Sequence, residues 1–230
     1  MTISPIAHIR TDFPEKFGIP RQSGIAPALH GRIVFEPAFR NPDALRGLEG
    51  FSHIWLIWEF SANVRRGAEG ETAWQPVVRP PRLGGNTSMG VFATRSPFRP
   101  NPLGLSCVEV AGIEYSASDG HVIIVKGADL MDGTPIYDIK PYIRYADSHP
   151  QARCGYVDSL EECRLKVVVP DDLSLKMGDK ASELISALAL DPRPSYQNDP
   201  HRIYGMSFAG RNVSFRVMGD TLTVTDVEDL

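Results

Sequence analysis

At 230 residues, with 42% hydrophobic and 23% charged side chains, the chain is long enough for one large or two small domains with packed cores and no covalent staples. The net charge of −4 excludes a protein that grips nucleic acid over its whole surface, and Cys107, Cys154 and Cys163 have neither zinc-knuckle nor redox spacing. No basic-plus-apolar leader is present and the longest apolar run, Ile54 to Trp58, is far too short for a bilayer, so a soluble, cytoplasmic protein without a membrane partner is expected.

The first part reads as mostly β. Ile3 to Arg10 and Gly31 to Phe35 form short apolar strands. A helix is expected over Asp43 to Leu48, capped by Asn41 and started by Pro42. Ile54 to Phe60 is dense enough in aromatic and β-branched residues for a strand buried on both faces. Ser106 to Tyr115 alternates like a half-buried strand, and the Ser118 to Gly120 turn joins it to His121 to Lys126 as a hairpin. Ile136 to Lys140 is a further strand. Similar strand lengths separated by Gly and Pro loops point to a barrel rather than a βαβ fold. After about Tyr145 a polar, irregular stretch reads as a linker. Beyond it, Asp179 is expected to cap a helix to about Leu190, ended by Asp191-Pro192-Arg193-Pro194. A meander follows: Tyr204 to Phe208, Val213 to Val217 and Leu222 to Val227. The expected organisation is mainly β: a barrel domain over 1–145, a linker over 146–164 and a small α+β domain over 165–230.

Three loops carry chemistry. From Thr72 to Val108 there is no Asp, Glu or Lys but four arginines: Arg79, Arg82, Arg95 and Arg99. Pro97, Pro100 and Pro102 stiffen the loop that presents Arg95 and Arg99, which lowers the entropy cost of binding an anionic ligand. Such arginines serve equally well pairing with internal carboxylates. The second loop places Asp129, Asp132 and Asp138 with Lys140 in an otherwise apolar stretch, suited to acid–base work, to holding polar ligand groups or to a salt-bridged turn. As metal ligands these aspartates lack a helpfully spaced histidine, so no metal is expected. Pro20-Arg21-Gln22 is the third, framed by proline and glycine. Trp55, Trp58 and Trp74 suit a core or a dimer surface. No Gly-rich strand-to-helix loop of the dinucleotide type is present, which disfavours a Rossmann-type site.

Arg79-Pro80-Pro81-Arg82-Leu83-Gly84-Gly85-Asn86, continuing through Gly90 to Ser96 and Arg99-Pro100-Asn101-Pro102, resembles the central block of the TsaA-like family, whose characterised bacterial branch is TrmO. Similar too are Pro20-Arg21-Gln22, Asp132-Gly133-Thr134-Pro135 and the Asp191-Pro192-Arg193-Pro194-Ser195-Tyr196 element. The resemblance implies a TsaA-like, non-Rossmann β-barrel that binds S-adenosylmethionine, a homodimer, and N6-methylation of threonylcarbamoyladenosine beside the anticodon of threonine tRNA. It places cofactor contacts at Pro20, Arg21, Gln22, Ser61, Arg95, Leu105, Asp129, Leu130, Met131 and Asp132. Ser61 stands where the family often has histidine, so no histidine role is carried over. Arg79, Arg82, Arg99, Arg193 and Tyr196 are the expected tRNA contacts, and Asp132 or Asp138 the candidate proton acceptor. Because the cofactor loops all precede Tyr145, a chain cut before Leu165 is expected to keep a folded, cofactor-binding barrel. The competing reading is a non-catalytic S-adenosylmethionine- or RNA-binding module.

Overall fold

The computed structural model describes residues 2–63, 74–84, 86–160, 164–194, 197 and 199–230, and, of Asn63 and Arg82, the backbone alone. In chain order the first strands are β1 (Ala7–Arg10), β2 (His30–Phe35), β3 (His53–Glu59), β4 (Val77–Val78), β5 (Met89–Gly90), β6 (Leu103–Ser116), β7 (Gly120–Lys126) and β8 (Pro135–Pro141). Six of them close into a barrel in the order β1-β2-β7-β6-β3-β8. Every neighbouring pair is antiparallel, including β8 back to β1 through Ala7↔Ile136. The short β4 and β5 pair outside it.

Period-two alternation builds the interior. On β3, Ile54, Leu56 and Trp58 point inward while Trp55 and Ile57 are only half-buried, so this strand is buried on one face and not on both as expected. Ile9, Ile33, Ile54, Leu56, Ile123 and Ile136 are fully buried, and each such side chain contributes about 1.5–3 kcal/mol on leaving water. β6 begins at Leu103, earlier than the alternation suggests, because Leu103 already pairs with Glu59. A bulge between Val110 and Gly112 bends this long strand, which lets it serve two barrel neighbours. The helix expected over Asp43 to Leu48 is instead two 3-10 turns, Pro42–Leu45 and Leu48–Gly50. The Asn41 side chain does cap the first, accepting from the Asp43 N–H at 3.0 Å. Gly47 at φ 87 then breaks the helical path.

The remaining elements are α1 (Arg144–Asp147), β9 (Lys166–Val168), α2 (Asp171–Met177), α3 (Ala181–Leu188), β10 (Tyr204–Phe208), β11 (Arg211–Met218) and β12 (Thr221–Asp229). The meander is present, and β9 adds to it in parallel beside β12. Asp179 sits inside a 3-10 turn, Gly178–Lys180, that runs straight into α3 rather than capping it. The unexpected α2 starts with Asp171 and Asp172 in its first turn, where carboxylates favour the positive end of the helix dipole. Among the described residues no helix is long and apolar enough to cross a membrane.

Two separate cores result. One fills the barrel; the other lies between α2, α3 and the second sheet. Phe13, Ala26 and Leu29, which flank the connection between β1 and β2, are buried in the second core and not the first. The two parts therefore do not each complete an apolar face alone.

Candidate functional site

A cleft of about 460 Å³ opens at one end of the barrel, within the usual size range of small-molecule sites. Four stretches contribute to its walls: 19–22 from the β1–β2 connection, 58–62 at the exit of β3, Thr94, Arg95, Arg99 and 103–105 leading into β6, and 129–131 with Thr134 before β8.

Its floor is a buried relay. Trp58 Nε1 donates to Ser106 Oγ at 2.9 Å, and the Ser106 hydroxyl donates to Asp129 Oδ1 at 2.6 Å. Ser106 is 1% exposed, so each of its two roles fills a need that water does not meet. Gly104 makes the relay possible: a Cβ there would lie 2.3 Å from Trp58 Cε2. Burial pushes the Asp129 carboxyl above its ordinary value, against the opposing pull of the Ser106 bond, backbone N–H groups and the Arg95 cation. Two effects thus compete on one group, and desolvation wins.

On one rim, Arg95 Nη1 donates to Gln22 Oε1 and Gln22 Nε2 donates to the Arg21 carbonyl. Arg99 donates to the carbonyls of Val91 at 3.1 Å and Thr94 at 2.7 Å, which fixes the stiff loop from within. Glu59, which also lines the cleft, accepts from the Tyr137 hydroxyl at 2.6 Å. Burial, then the bond to Glu59 and its charge, push the Tyr137 hydroxyl up to about 12, so it stays a neutral donor. The Trp58 and Phe60 rings, which also line the cleft, lie 4.3 Å apart.

Of the expected cofactor residues, Pro20, Arg21, Gln22 and Ser61 line this cleft, as do Arg95, Leu105 and Asp129 to Met131. Asp132 and Asp138 do not. Asp132 instead accepts from the Thr11 N–H at 3.0 Å and lies 3.5 Å from Arg10. Asp138 folds back on the Ile139 N–H at 2.9 Å and pairs with Lys140 at 2.9 Å. The carboxylates that do line the cleft are Asp129 and Glu59. Arg79 is exposed without a hydrogen bond among the described residues. Arg193 grips Asp191 through two bonds of 2.8 and 2.9 Å and its side chain is 10% exposed, so its fork is already committed. Tyr196 and the Arg82 side chain lie outside the described residues. Sequence reasoning missed Trp58, Ser106 and Glu59 as site residues. A small polar residue in the same inward row as Val108 was the available signal for Ser106, since a buried hydroxyl demands partners.

Comparison with known proteins gives a consistent picture. The family model described as tRNA-methyltransferase O N-terminal domain matches residues 8–148, and the TrmO C-terminal domain model matches residues 171–230. The chain is 38% identical over 221 residues to the tRNA (adenine(37)-N6)-methyltransferase of Escherichia coli, covering 92% of this chain and 91% of that protein. It is 40% identical over 238 residues to the putative S-adenosylmethionine-dependent methyltransferase RcsF of Pseudomonas aeruginosa, covering 98% and 97%. The crystal structure of TrmO from Pseudomonas aeruginosa superposes with a TM-score of 0.78 at 34% identity, over 99% of this chain and 98% of that one. With both domain models matched in order, and a relative 38% identical over 92% of the chain, the chain belongs to the TrmO family.

Proposed function

We propose that this chain is a cytoplasmic, S-adenosylmethionine-dependent tRNA methyltransferase. On this reading it acts on the exocyclic N6 of threonylcarbamoyladenosine beside the anticodon of threonine tRNA. The supporting observation is the mixed lining of the cleft: the cations Arg21 and Arg95, the carboxylates Asp129 and Glu59, and the aromatic rings of Trp58 and Phe60. That donor set fits S-adenosylmethionine, which carries one carboxylate and two cationic centres. Arginines suit its carboxylate, and half-buried carboxylates and aromatic faces suit its ammonium and sulfonium. Once bound, the cofactor supplies an activated methyl group.

The chain's own part is positioning. The acceptor nitrogen is conjugated and poorly nucleophilic, so holding it in line supplies much of the rate. Closing the cleft against water disfavours the charged ground state that methyl transfer discharges. The nitrogen must also lose a proton. We assign the acceptor to Glu59, which lines the cleft and is oriented by Tyr137, in place of Asp132 or Asp138. Exposed Trp74, Val77 and Phe92, with the Trp74 and Phe92 rings stacked at 6.5 Å, offer apolar surface that suits the homodimer contact.

Purified protein, S-adenosylmethionine and tRNA from a strain lacking the modification, followed by mass spectrometry of nucleosides, tests the reading. The expected product is threonylcarbamoyladenosine heavier by one methylene. Glu59→Gln should turn over about a hundredfold more slowly even at saturating cofactor, as for loss of a general base. Cofactor binding without any transfer to tRNA would instead favour the non-catalytic module.

A further inference from the structure

The wall of the cleft formed by residues 19–22 is held from outside the barrel. Phe13 packs edge-on to Phe208 with centroids 5.1 Å apart, and Phe17 stacks on Phe215 at 6.5 Å. Gly18 adopts φ +91 and sits so close to Met206 that a Cβ would fall 2.1 Å from its sulfur. The Ala209 N–H donates to the Asp12 carbonyl at 2.9 Å, and Lys180 Nζ lies 2.7 Å from Asp12 Oδ2. Residues 12–18 are thereby anchored to the second unit, immediately before the chain enters the cleft.

The far end of that wall has its own anchor. Arg21 Nη2 donates to the Arg193 carbonyl at 3.4 Å. That carbonyl is held in place by its own side chain: Arg193 Nε and Nη2 form a two-bond fork with Asp191, and the Arg193 N–H adds a third bond to Asp191 Oδ1 at 3.3 Å. Asp191 itself takes the left-handed conformation, φ 51, which the fork helps to hold. From Arg21 the contacts continue through Gln22 to Arg95 at the mouth of the cleft. We propose that Arg193, together with Asp191, is a positioning residue for the cofactor cleft, fixing the carbonyl that holds Arg21 and hence the Arg21–Gln22 wall against Arg95. The inference rests on the reading that this cleft takes S-adenosylmethionine. It gives the Asp191-Pro192-Arg193-Pro194 element a role other than gripping tRNA phosphates, for which a committed, nearly buried guanidinium is poorly placed. Without the fork, ordering Arg21 and its loop would be charged against cofactor affinity.

The test uses the full chain, calorimetric titration with S-adenosylmethionine, and tRNA binding across a salt series. Wild-type affinity for S-adenosylmethionine checks the cleft; its absence would remove that reading and not this one specifically. Arg193→Ala and Asp191→Ala should each weaken cofactor binding about tenfold, and the double variant little more, since contacting groups are non-additive. Arg21→Ala should cost less in the Arg193→Ala background than alone, a coupling that a merely structural arginine would not show. The salt slope for tRNA should not change. Arg193→Lys keeps the charge but loses the fork, so it should bind tRNA normally and cofactor as weakly as Arg193→Ala, which covers the case where the alanine variant fails to fold. Unchanged cofactor affinity in the folded Lys or Ala variant overturns the proposal. So does a salt slope reduced by about 0.7–0.9 with cofactor affinity intact, the signature of one lost phosphate contact.

Discussion

Asp129 keeps a carboxylate where water barely reaches, and that placement sets two properties in opposition. Its folded pKa is raised, by burial first, so the folded state binds its proton more tightly than the unfolded chain does. Stability therefore falls as pH rises from the ordinary carboxylate range through the raised value. The ionised form needed to face a cationic ligand is lost in the same window as pH falls. Asp129→Asn should raise the melting temperature at neutral pH while lowering cofactor affinity about tenfold, the amount for losing a charge-assisted bond. Affinity in the wild type should begin to fall at a pH above that of an ordinary carboxylate. A melting temperature that drops in Asp129→Asn, or a cofactor affinity indifferent to pH across that window, would sink this account. The sequence identifies Asp129 through its loop and the family resemblance. It does not identify Ser106 or Trp58, because their importance comes from a cross-strand meeting that neither residue announces alone.

At the scale of elements, α3 is tied to the barrel by one buried acid. Glu183 is 7% exposed; its Oε2 accepts the His30 N–H at 3.1 Å and its Oε1 the Lys180 ammonium at 2.9 Å. His30 opens β2, so the pair links a helix of one unit to a strand of the other. Glu183→Ala leaves the His30 N–H without this partner and should cost about 2–3 kcal/mol of stability, measured by denaturant unfolding. A loss under about 0.5 kcal/mol, as for an ordinary surface change, would show the link to be incidental. Strand β3 is legible from its density of aromatic and β-branched residues, and β7, β10 and β11 from short apolar runs bounded by glycine turns. The helix α2 is not, since within seven residues only Leu173 and Met177 are buried, too few to show a helical period. Asp132 and Asp138 attract attention as carboxylates near a turn, but local partners, Thr11 and Lys140, draw both away from the cleft.

For the whole molecule, the shared core decides what a fragment can do. Sequence order assigns residues 11–29 to the barrel they interrupt, while packing assigns Phe13, Ala26 and Leu29 to the second unit. A chain ending before Leu165 would expose these side chains, Phe13 and Leu29 each worth about 1.5–3 kcal/mol of burial, and release the segment that carries Pro20 to Gln22. Such a fragment should bind a hydrophobic dye and lose most of its affinity for S-adenosylmethionine, contrary to the expectation drawn from sequence alone. Wild-type affinity in the fragment would show that the barrel holds this wall unaided. The same crossing has a consequence during synthesis. Phe13 leaves the ribosome long before its edge-on partner, Phe208. A nascent chain can close its barrel strands while one wall of its cleft still waits, so the cleft is not completed until the second unit has been made.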